Sequence, residues 1–367
     1  MERHFQLSIF NFQFYTKMYY KRKHIFISIA LAVSCLFLSC EEELEFSDKI
    51  STPKLVLNSL LTPGSTVRVH LSESGFLLVD PESFNLVSDA DVYIYKDNER
   101  IEKLHYIGDG FYDTRDFTPS AGDVLKITAS NSKYSEVTAE TFVVDSVPVE
   151  SVGYSNFREE RYLYDSSQTL VDGKVVERIY TYQISEYFDL DVRFSDPAEE
   201  DNYYRLVLYG ISYYNNYKVV ETPTSFNIND VLAGTTGNWG GRWDVDNDDR
   251  YNEFTDGILN GKEISLKIPV PYSRYYQDVD GNGNIINEYT HDETQSAERI
   301  HFELRVDLQS ISRDYYLYLK SRYASESSAD FGGLFSEPVQ VYNNINNGLG
   351  IFGSHSSSTV VIEVKKD

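Results

Sequence analysis

Apolar and polar residues alternate with a period of two along most of the chain, a pattern that predicts short β-strands with one buried face. From residue 54 to residue 145 the alternating runs are short, and turn residues such as Pro63-Gly64 and Gly108-Asp109-Gly110 separate them. The predicted strands in this part are 55–61, 66–71, 90–95, 101–107, 110–116, 124–129 and 136–144. This spacing predicts that residues 54–145 form an antiparallel sandwich of the immunoglobulin-like type.

The pattern changes after Pro148, where the alternating runs become longer. We therefore place a domain boundary there and expect residues 146–367 to form a second, larger domain. Its predicted strands are 180–194, 203–214, 262–268, 300–308 and 359–364. The predicted fold class is all-β (mainly β), with an N-terminal immunoglobulin-like sandwich followed by a β-rich domain.

One segment of the second domain has helical spacing instead. Tyr315, Leu319 and Tyr323 recur at every fourth position, and either Ser310 or Ser312 can cap the start of a helix. This pattern predicts one amphipathic helix packed against the second sheet.

The N-terminal segment has the order of a bacterial lipoprotein signal. A basic cluster (Lys21 to Lys23) precedes an apolar run over 25–38, and Ser39-Cys40 then opens into three glutamates. We expect residues 1–39 to be a signal peptide whose natural start is Met18, with an upstream mis-start before it. Cys40 is the predicted lipidation site, and residues 40–53 are a lipid-anchored acidic tether.

Two alternatives remain open for this segment. Cys35 also follows small residues, although cleavage there would leave Leu36, Phe37 and Leu38 on the mature N-terminus. The segment could also be a signal anchor that stays uncleaved. The lipoprotein interpretation predicts a protein of the outer membrane that is lipid-anchored and exposed on the cell surface.

Charge and cysteine content exclude several functions. The chain has 57 acidic against 33 basic residues, a formal net charge of −24, so we expect no nucleic acid partner. Removal of the basic leader makes the balance more negative. Only two cysteines are present, both in the leader region, which leaves no disulfide framework.

The stretch from Asp278 to Glu288 resembles part of a calcium loop. Carboxylate and amide oxygens in a tight turn are the ligands that calcium prefers. The candidate ligands are Asp278, Asp280, Asn282, Asn284 and Glu288. The twelfth position of such a loop, where the closing acid belongs, is Tyr289, so a polar hairpin turn joining 272–277 to 285–289 is the competing interpretation. Calcium is the one cofactor that the sequence suggests.

Both tryptophans lie in a glycine-rich segment, Gly237 to Trp243. Trp239 and Trp243 can stack on a ligand with Arg242 as a donor, so these three residues are candidates for ligand or interface contacts. Packing between the sheets is the alternative. The sequence has no zinc-protease, serine-hydrolase, phosphate-loop or dinucleotide motif. We therefore predict no catalytic residues.

Three pieces of sequence resemble one family. Asn343 to Gly353 is similar to its closing signature, 194–206 to its central motif, and 53–58 to its first strand. The chain thus resembles the Bacteroidota outer-membrane lipoprotein family called domain of unknown function 4249 (DUF4249). That resemblance implies a TonB-dependent outer-membrane receptor as partner, encoded nearby, and transfers no catalytic residue.

The expected function is that of a non-enzymatic accessory subunit of a TonB-dependent transporter, which captures or gates an unknown small ligand during nutrient uptake. Two other classes remain open. One is a cell-surface hydrolase with an unidentified acidic catalytic pair, and the other is a calcium-stabilised adhesion module.

Overall fold

The computed structural model of the chain describes residues 53–75, 85–198, 200–215, 217–224, 226, 252–257, 260–289, 299–330 and 339–366. Within these ranges the protein is mostly β-strand, with one helix. The first eight strands are β1 (Leu55–Leu61), β2 (Arg68–Glu73), β3 (Asp91–Lys96), β4 (Glu99–Lys103), β5 (His105–Gly108), β6 (Phe111–Asp113), β7 (Val124–Ser130) and β8 (Val137–Phe142). The later elements are β9 (Val149–Val171), β10 (Lys174–Ser195), β11 (Tyr203–Tyr214), β12 (Val219–Pro223), β13 (Glu253–Thr255), β14 (Glu263–Asp280), β15 (Ile285–Tyr289), β16 (Arg299–Ile311), α1 (Arg313–Asp330) and β17 (Leu349–Glu363).

The first sandwich has two layers. One layer has the strand order β17-β1-β2-β6-β5, and the other has the order β4-β3-β7-β8. Period-two burial places residues such as Leu57, Val69, Ile94 and Ile127 in one core between the layers. The predicted all-β fold class is confirmed, and this sandwich includes, besides strands from residues 55–142, the parallel strand β17 from the end of the chain.

The second sandwich packs β15-β14-β10-β9 against β12-β11-β16-β17, with β13 paired to β11. Its core contains Phe188, Leu206, Ile268 and Val306, all of them buried. This sandwich is also built from β-strands, in agreement with the predicted all-β fold class.

Strand β17 belongs to both sandwiches. Its first half pairs in parallel with β1, from Val56 opposite Leu349 to Leu61 opposite Ser354. Its second half pairs in antiparallel fashion with β16, for example Gln309 opposite Ser357. The domain boundary predicted near residue 146 lies between β8 and β9, and β17 returns across it to complete the first sandwich.

Helix α1 lies where the spacing predicts it. Ser312 provides the cap, since its Oγ accepts a hydrogen bond from the Tyr315 backbone N–H at 3.4 Å. Tyr315, Leu319 and Tyr323 are buried and form a small cluster with Ile311 at the end of β16. No described helix is long and apolar enough to cross a membrane.

The hairpin of β9 and β10 extends well beyond the second sandwich. β10 has 22 residues, whereas β16 in the facing layer has 13, so roughly 30 Å of β10 has no strand opposite it. The two-residue turn Asp172-Gly173 has positive φ at both positions (50° and 75°), the conformation that tight hairpins require. Every described side chain from Arg161 to Arg178 is exposed, and we call residues 161–178 the outer ribbon.

One local prediction is wrong. The single strand predicted over 101–107 is two strands, because buried Leu104 ends β4 and β5 then joins the opposite layer. Near the end of the chain β17 begins at Leu349, which is 37% exposed.

Candidate functional site

A cleft of about 650 Å³ lies where the two sandwiches meet. Four short segments line it: the turn before β7, the link from β8 to β9, the link from β10 to β11, and the junction of β16 with α1. We call this space the junction cleft. Its size and its position between two packed units are typical of small-molecule sites.

The link from β10 to β11 is held by a buried side-chain lock. Asp196 accepts a hydrogen bond from the Tyr204 hydroxyl at 2.5 Å and another from the Gly261 N–H at 2.9 Å. Burial, and then the hydrogen bond to Asp196, raise the pKa of Tyr204 well above its usual value. The central motif of the sequence therefore fixes the loop that carries Glu200 and Asp201 into the cleft.

The α1 side of the cleft is fixed in a similar way. The Tyr342 hydroxyl donates to Asp314 at 2.5 Å, which ties the segment before β17 to the first turn of the helix. Burial, assisted by this contact, raises the pKa of Tyr342 to about 12. Ser312 also accepts a hydrogen bond from the Ser354 N–H at 3.0 Å, so the helix start is joined to β17.

The lining combines apolar surface with acidic groups. Apolar atoms come mainly from Phe142, Val144, Tyr203 and Ile311, and Phe142 is 51% exposed. The acidic groups are Asp145, Glu200, Asp201 and Asp314, and Arg313 is the basic residue among the lining side chains. None of the described lining residues is a histidine or a cysteine.

Sequence analysis missed this site because its residues lie in separate segments between 121 and 314. None of the sequence candidates that lie within the described residues, Asp278 to Glu288, lines it. The signal that could have pointed to it is the acidic run Glu199-Glu200-Asp201, which follows Asp196-Pro197 inside the central motif.

The candidate calcium residues lie in and beside the hairpin of β14 and β15. Asp280 already accepts hydrogen bonds from the backbone N–H groups of Asn282 and Asn284, and from the Asn284 amide. Asp278 pairs with Asn287 across the hairpin, whereas Glu288 pairs with Gln277 and therefore projects from the other face. These side chains are not brought together around one point. The described residues contain no group of three or more His, Cys, Asp or Glu side chains placed to hold a metal ion.

Other sequence candidates lie outside the described residues. These are Cys40 with the whole leader, and the segment with Trp239, Arg242 and Trp243. Their roles stay predictions.

Several residues of the signature segment, residues 343–353, contact other parts of the chain. Asn344 donates to the Phe352 carbonyl at 2.8 Å and accepts from the Phe352 N–H at 2.9 Å. Gly350 has φ of 116°, and a Cβ there would lie 2.0 Å from the carbonyl oxygen of Leu57. Only glycine fits, because the position combines a left-handed conformation with a close approach to β1.

Comparison with known proteins gives a family and little else. No curated protein matches the chain. Among solved structures, one described by the promiscuous specificity of carbohydrate-binding modules from the β-sandwich superfamily has a TM-score of 0.18 and 9% identity. The match covers 65% of this chain and 99% of that chain, and a likeness this slight carries no argument. A family model described as Domain of unknown function (DUF4249) matches residues 41–360, and the chain therefore belongs to this family.

Proposed function

We propose that the protein is a non-enzymatic lipoprotein of the outer-membrane surface that acts as an accessory subunit of a TonB-dependent transporter. In this role it captures or gates a small ligand. The lipid anchor is Cys40, and the acidic tether separates the folded part from the membrane. The leader pattern supports the location, because a basic cluster, a short apolar run and a small residue before cysteine occur in that order.

The observation that carries the proposed partner is the uncovered outer ribbon. A sheet of a few strands needs a second layer to bury its apolar side chains, and no described residue forms such a layer over the outer ribbon. Leu163, Leu170 and Val176 are 58%, 61% and 59% exposed. β9 is also the edge strand of its sheet, and none of the described strands pairs with its outer side. Exposed apolar side chains beside a free strand edge favour a protein partner.

The junction cleft supports the capture role. The cleft lies at the end of the second sandwich where β9 begins and β10 ends. The outer ribbon contains the other ends of these two strands and projects away from the cleft. A receptor docked on the outer ribbon would therefore leave the cleft open to ligand.

Co-purification from native membranes tests the proposal. The full chain with a C-terminal tag is extracted in mild detergent, and its partners are identified by mass spectrometry. We expect a TonB-dependent barrel protein in stoichiometric amount. A protein that consistently elutes alone would overturn the proposed partner.

The anchor is tested separately. Cys40→Ala should release the protein from the membrane fraction, and Cys35→Ala should leave it bound. The reverse result would move the cleavage site to Cys35, and release by neither variant would remove the lipid anchor from the proposal.

A further inference from the structure

We propose that the junction cleft binds a small amphipathic cation, that is, a primary amine or guanidinium attached to an apolar or aromatic body. This inference rests on the proposed function, because it names the class of ligand that the protein captures. It depends on the contents of the cleft and not on the receptor.

The space itself is the first step. A cleft of about 650 Å³ accommodates a drug-sized molecule. Both sandwiches contribute walls to the cleft. Because β17 belongs to both sandwiches, it fixes the distance between these walls and thus the width of the opening. The Val144 N–H donates to Ser354 Oγ at 3.2 Å, and Ser354 Oγ donates to the Phe142 carbonyl at 2.7 Å. The link that carries Phe142 is thus held against β17, which makes this wall a preformed surface.

The apolar wall selects for an apolar body. Phe142 lines the cleft and is 51% exposed, and Tyr203 lies on the lining with its ring centroid 5.0 Å from that of Tyr316, the two rings being tilted by 43°. This ring contact restricts the orientation of Tyr203. The two aromatic side chains provide apolar surface that a purely polar ligand would not cover. Burial of this surface favours a ligand with an apolar or aromatic part.

The acidic groups select for positive charge. Glu200 and Asp201 form no hydrogen bond or ion pair through their carboxylates with any described residue, so within the described part of the chain a ligand meets no competing partner there. Asp145 has a single partner, the backbone N–H of Ser146 at 2.7 Å. Four lining acids against Arg313 make the local field negative, in the same direction as the chain as a whole. An anionic ligand would be repelled, since the one helix N-terminus at this site already holds Asp314.

Three probes of one shape test the charge requirement. The three probes share a phenylethyl group. Phenethylamine is positively charged, 2-phenylethanol is uncharged and 3-phenylpropionate is negatively charged. Binding to the purified full chain is measured by ligand-observed NMR and by titration calorimetry, with detergent blanks. We expect phenethylamine to bind at least about fivefold more tightly than 2-phenylethanol, and 3-phenylpropionate to bind least. Raised salt should reduce the preference.

Two sets of substitutions locate the site. Glu200→Gln with Asp201→Asn should remove most of the preference for phenethylamine and leave 2-phenylethanol unchanged. Phe142→Ala should weaken both ligands equally. Glu99→Gln with Asp109→Asn is the matched control, because it removes two exposed acids from the first sandwich, away from the cleft lining, and should change nothing.

Each result decides the inference. Equal or tighter binding of 3-phenylpropionate, or a preference for phenethylamine that survives Glu200→Gln with Asp201→Asn, would overturn it. So would the failure of all three probes to bind a chain that is folded by circular dichroism. These outcomes leave the receptor proposal intact, since that depends on co-purification alone.

Discussion

The signature segment and the outer ribbon differ in whether their residues contact the rest of the chain or are exposed on its surface. In the signature segment almost every feature has an internal partner: asparagine amides bond the backbone, and Gly350 lies against β1. In the outer ribbon the side chains are exposed on both faces, and no layer of the described part of the chain covers them. The stretch that is recognisable in the sequence therefore builds the fold, whereas the stretch without a motif offers surface to another molecule.

The largest effect that would test this contrast is Gly350→Val. A side chain at φ of 116° is strained, and its Cβ would meet the Leu57 carbonyl oxygen at 2.0 Å. We expect a loss of roughly 3 kcal/mol or more in the free energy of unfolding, with lower melting temperature and lower surface abundance. Thermal melting and surface proteolysis measure both.

Gly153→Val is the matched control, since nothing lies within 4 Å of a Cβ at that glycine in β9. It should change stability little. If Gly350→Val folds normally but no longer co-purifies with the receptor, the signature segment is an interface. Normal stability together with normal association would instead make it ligand-facing.

A smaller effect is expected from Asn344→Ala. The substitution leaves the N–H and carbonyl of Phe352 without the amide that bonds both. The expected cost is roughly 2 kcal/mol by chemical denaturation. Asn346→Ala is the control, because its amide reaches only Thr138 Oγ1 at 3.5 Å on the surface, and a change within about 0.5 kcal/mol is expected. Equal effects of the two substitutions would contradict a special role for Asn344.

Acid should weaken the fold through His355 in β17, just after the signature segment. Burial, together with the charge of Arg205, lowers the pKa of His355 below its usual 6.5, and Asp307 opposes this only in part. The unfolded chain then binds a proton more readily than the folded one, so stability is full above pH 6.5 and is lost as the pH falls below it. The slope attributable to one group is at most about 1.4 kcal/mol per pH unit.

His355→Gln separates this contribution from the rest. The imidazole Nε2 lies 3.2 Å from Thr62 Oγ1, and glutamine can keep a hydrogen bond there without titrating. Unfolding free energies of the parent and the variant, measured from pH 7.5 to pH 5, should diverge below pH 6.5. Parallel curves would show that protonation of the buried His355 does not cause the loss of stability in acid.

The sequence predicts a strand well when one face of that strand is buried and the other is exposed. β1 and β11 each have one buried face, and their predicted limits are the observed ones. β9 was missed because its outer half is exposed on both faces, so residues such as Glu159, Glu160 and Ser166 show no alternation to detect. The first half of β17 was not among the predicted strands, since its glycines serve a parallel pairing with a strand almost 300 residues away in sequence.

The candidate site was beyond sequence reasoning for a related cause. Phe142, Glu200 and Asp314 approach one another only because β17 joins both sandwiches. No spacing along the chain encodes that proximity. The motif residues nearest the cleft, Asp196 and Tyr204, were visible in the sequence, but their side chains bond each other and support the loop without lining the cleft.

The smallest effect on stability, and the sharpest test of the contrast, is expected in the outer ribbon. Leu170 and Val175 lie opposite each other on β9 and β10 and are 61% and 42% exposed. Replacing both with threonine keeps β-branching at 175 and introduces it at 170, and it removes apolar area from the surface. Because neither side chain contributes to a core, the free energy of unfolding should change by no more than about 0.5 kcal/mol.

The same double substitution should abolish or strongly reduce co-purification with the receptor. Ile107→Thr is the matched control, since Ile107 is 53% exposed on edge strand β5 of the first sandwich and its loss should leave the complex intact. If Leu170→Thr with Val175→Thr destabilises the isolated protein, the outer ribbon contributes to the fold of the monomer and the contrast with the signature segment fails. If stability and receptor association both stay normal, the docking surface lies elsewhere, because apolar side chains at the center of an interface cannot be removed without loss of affinity.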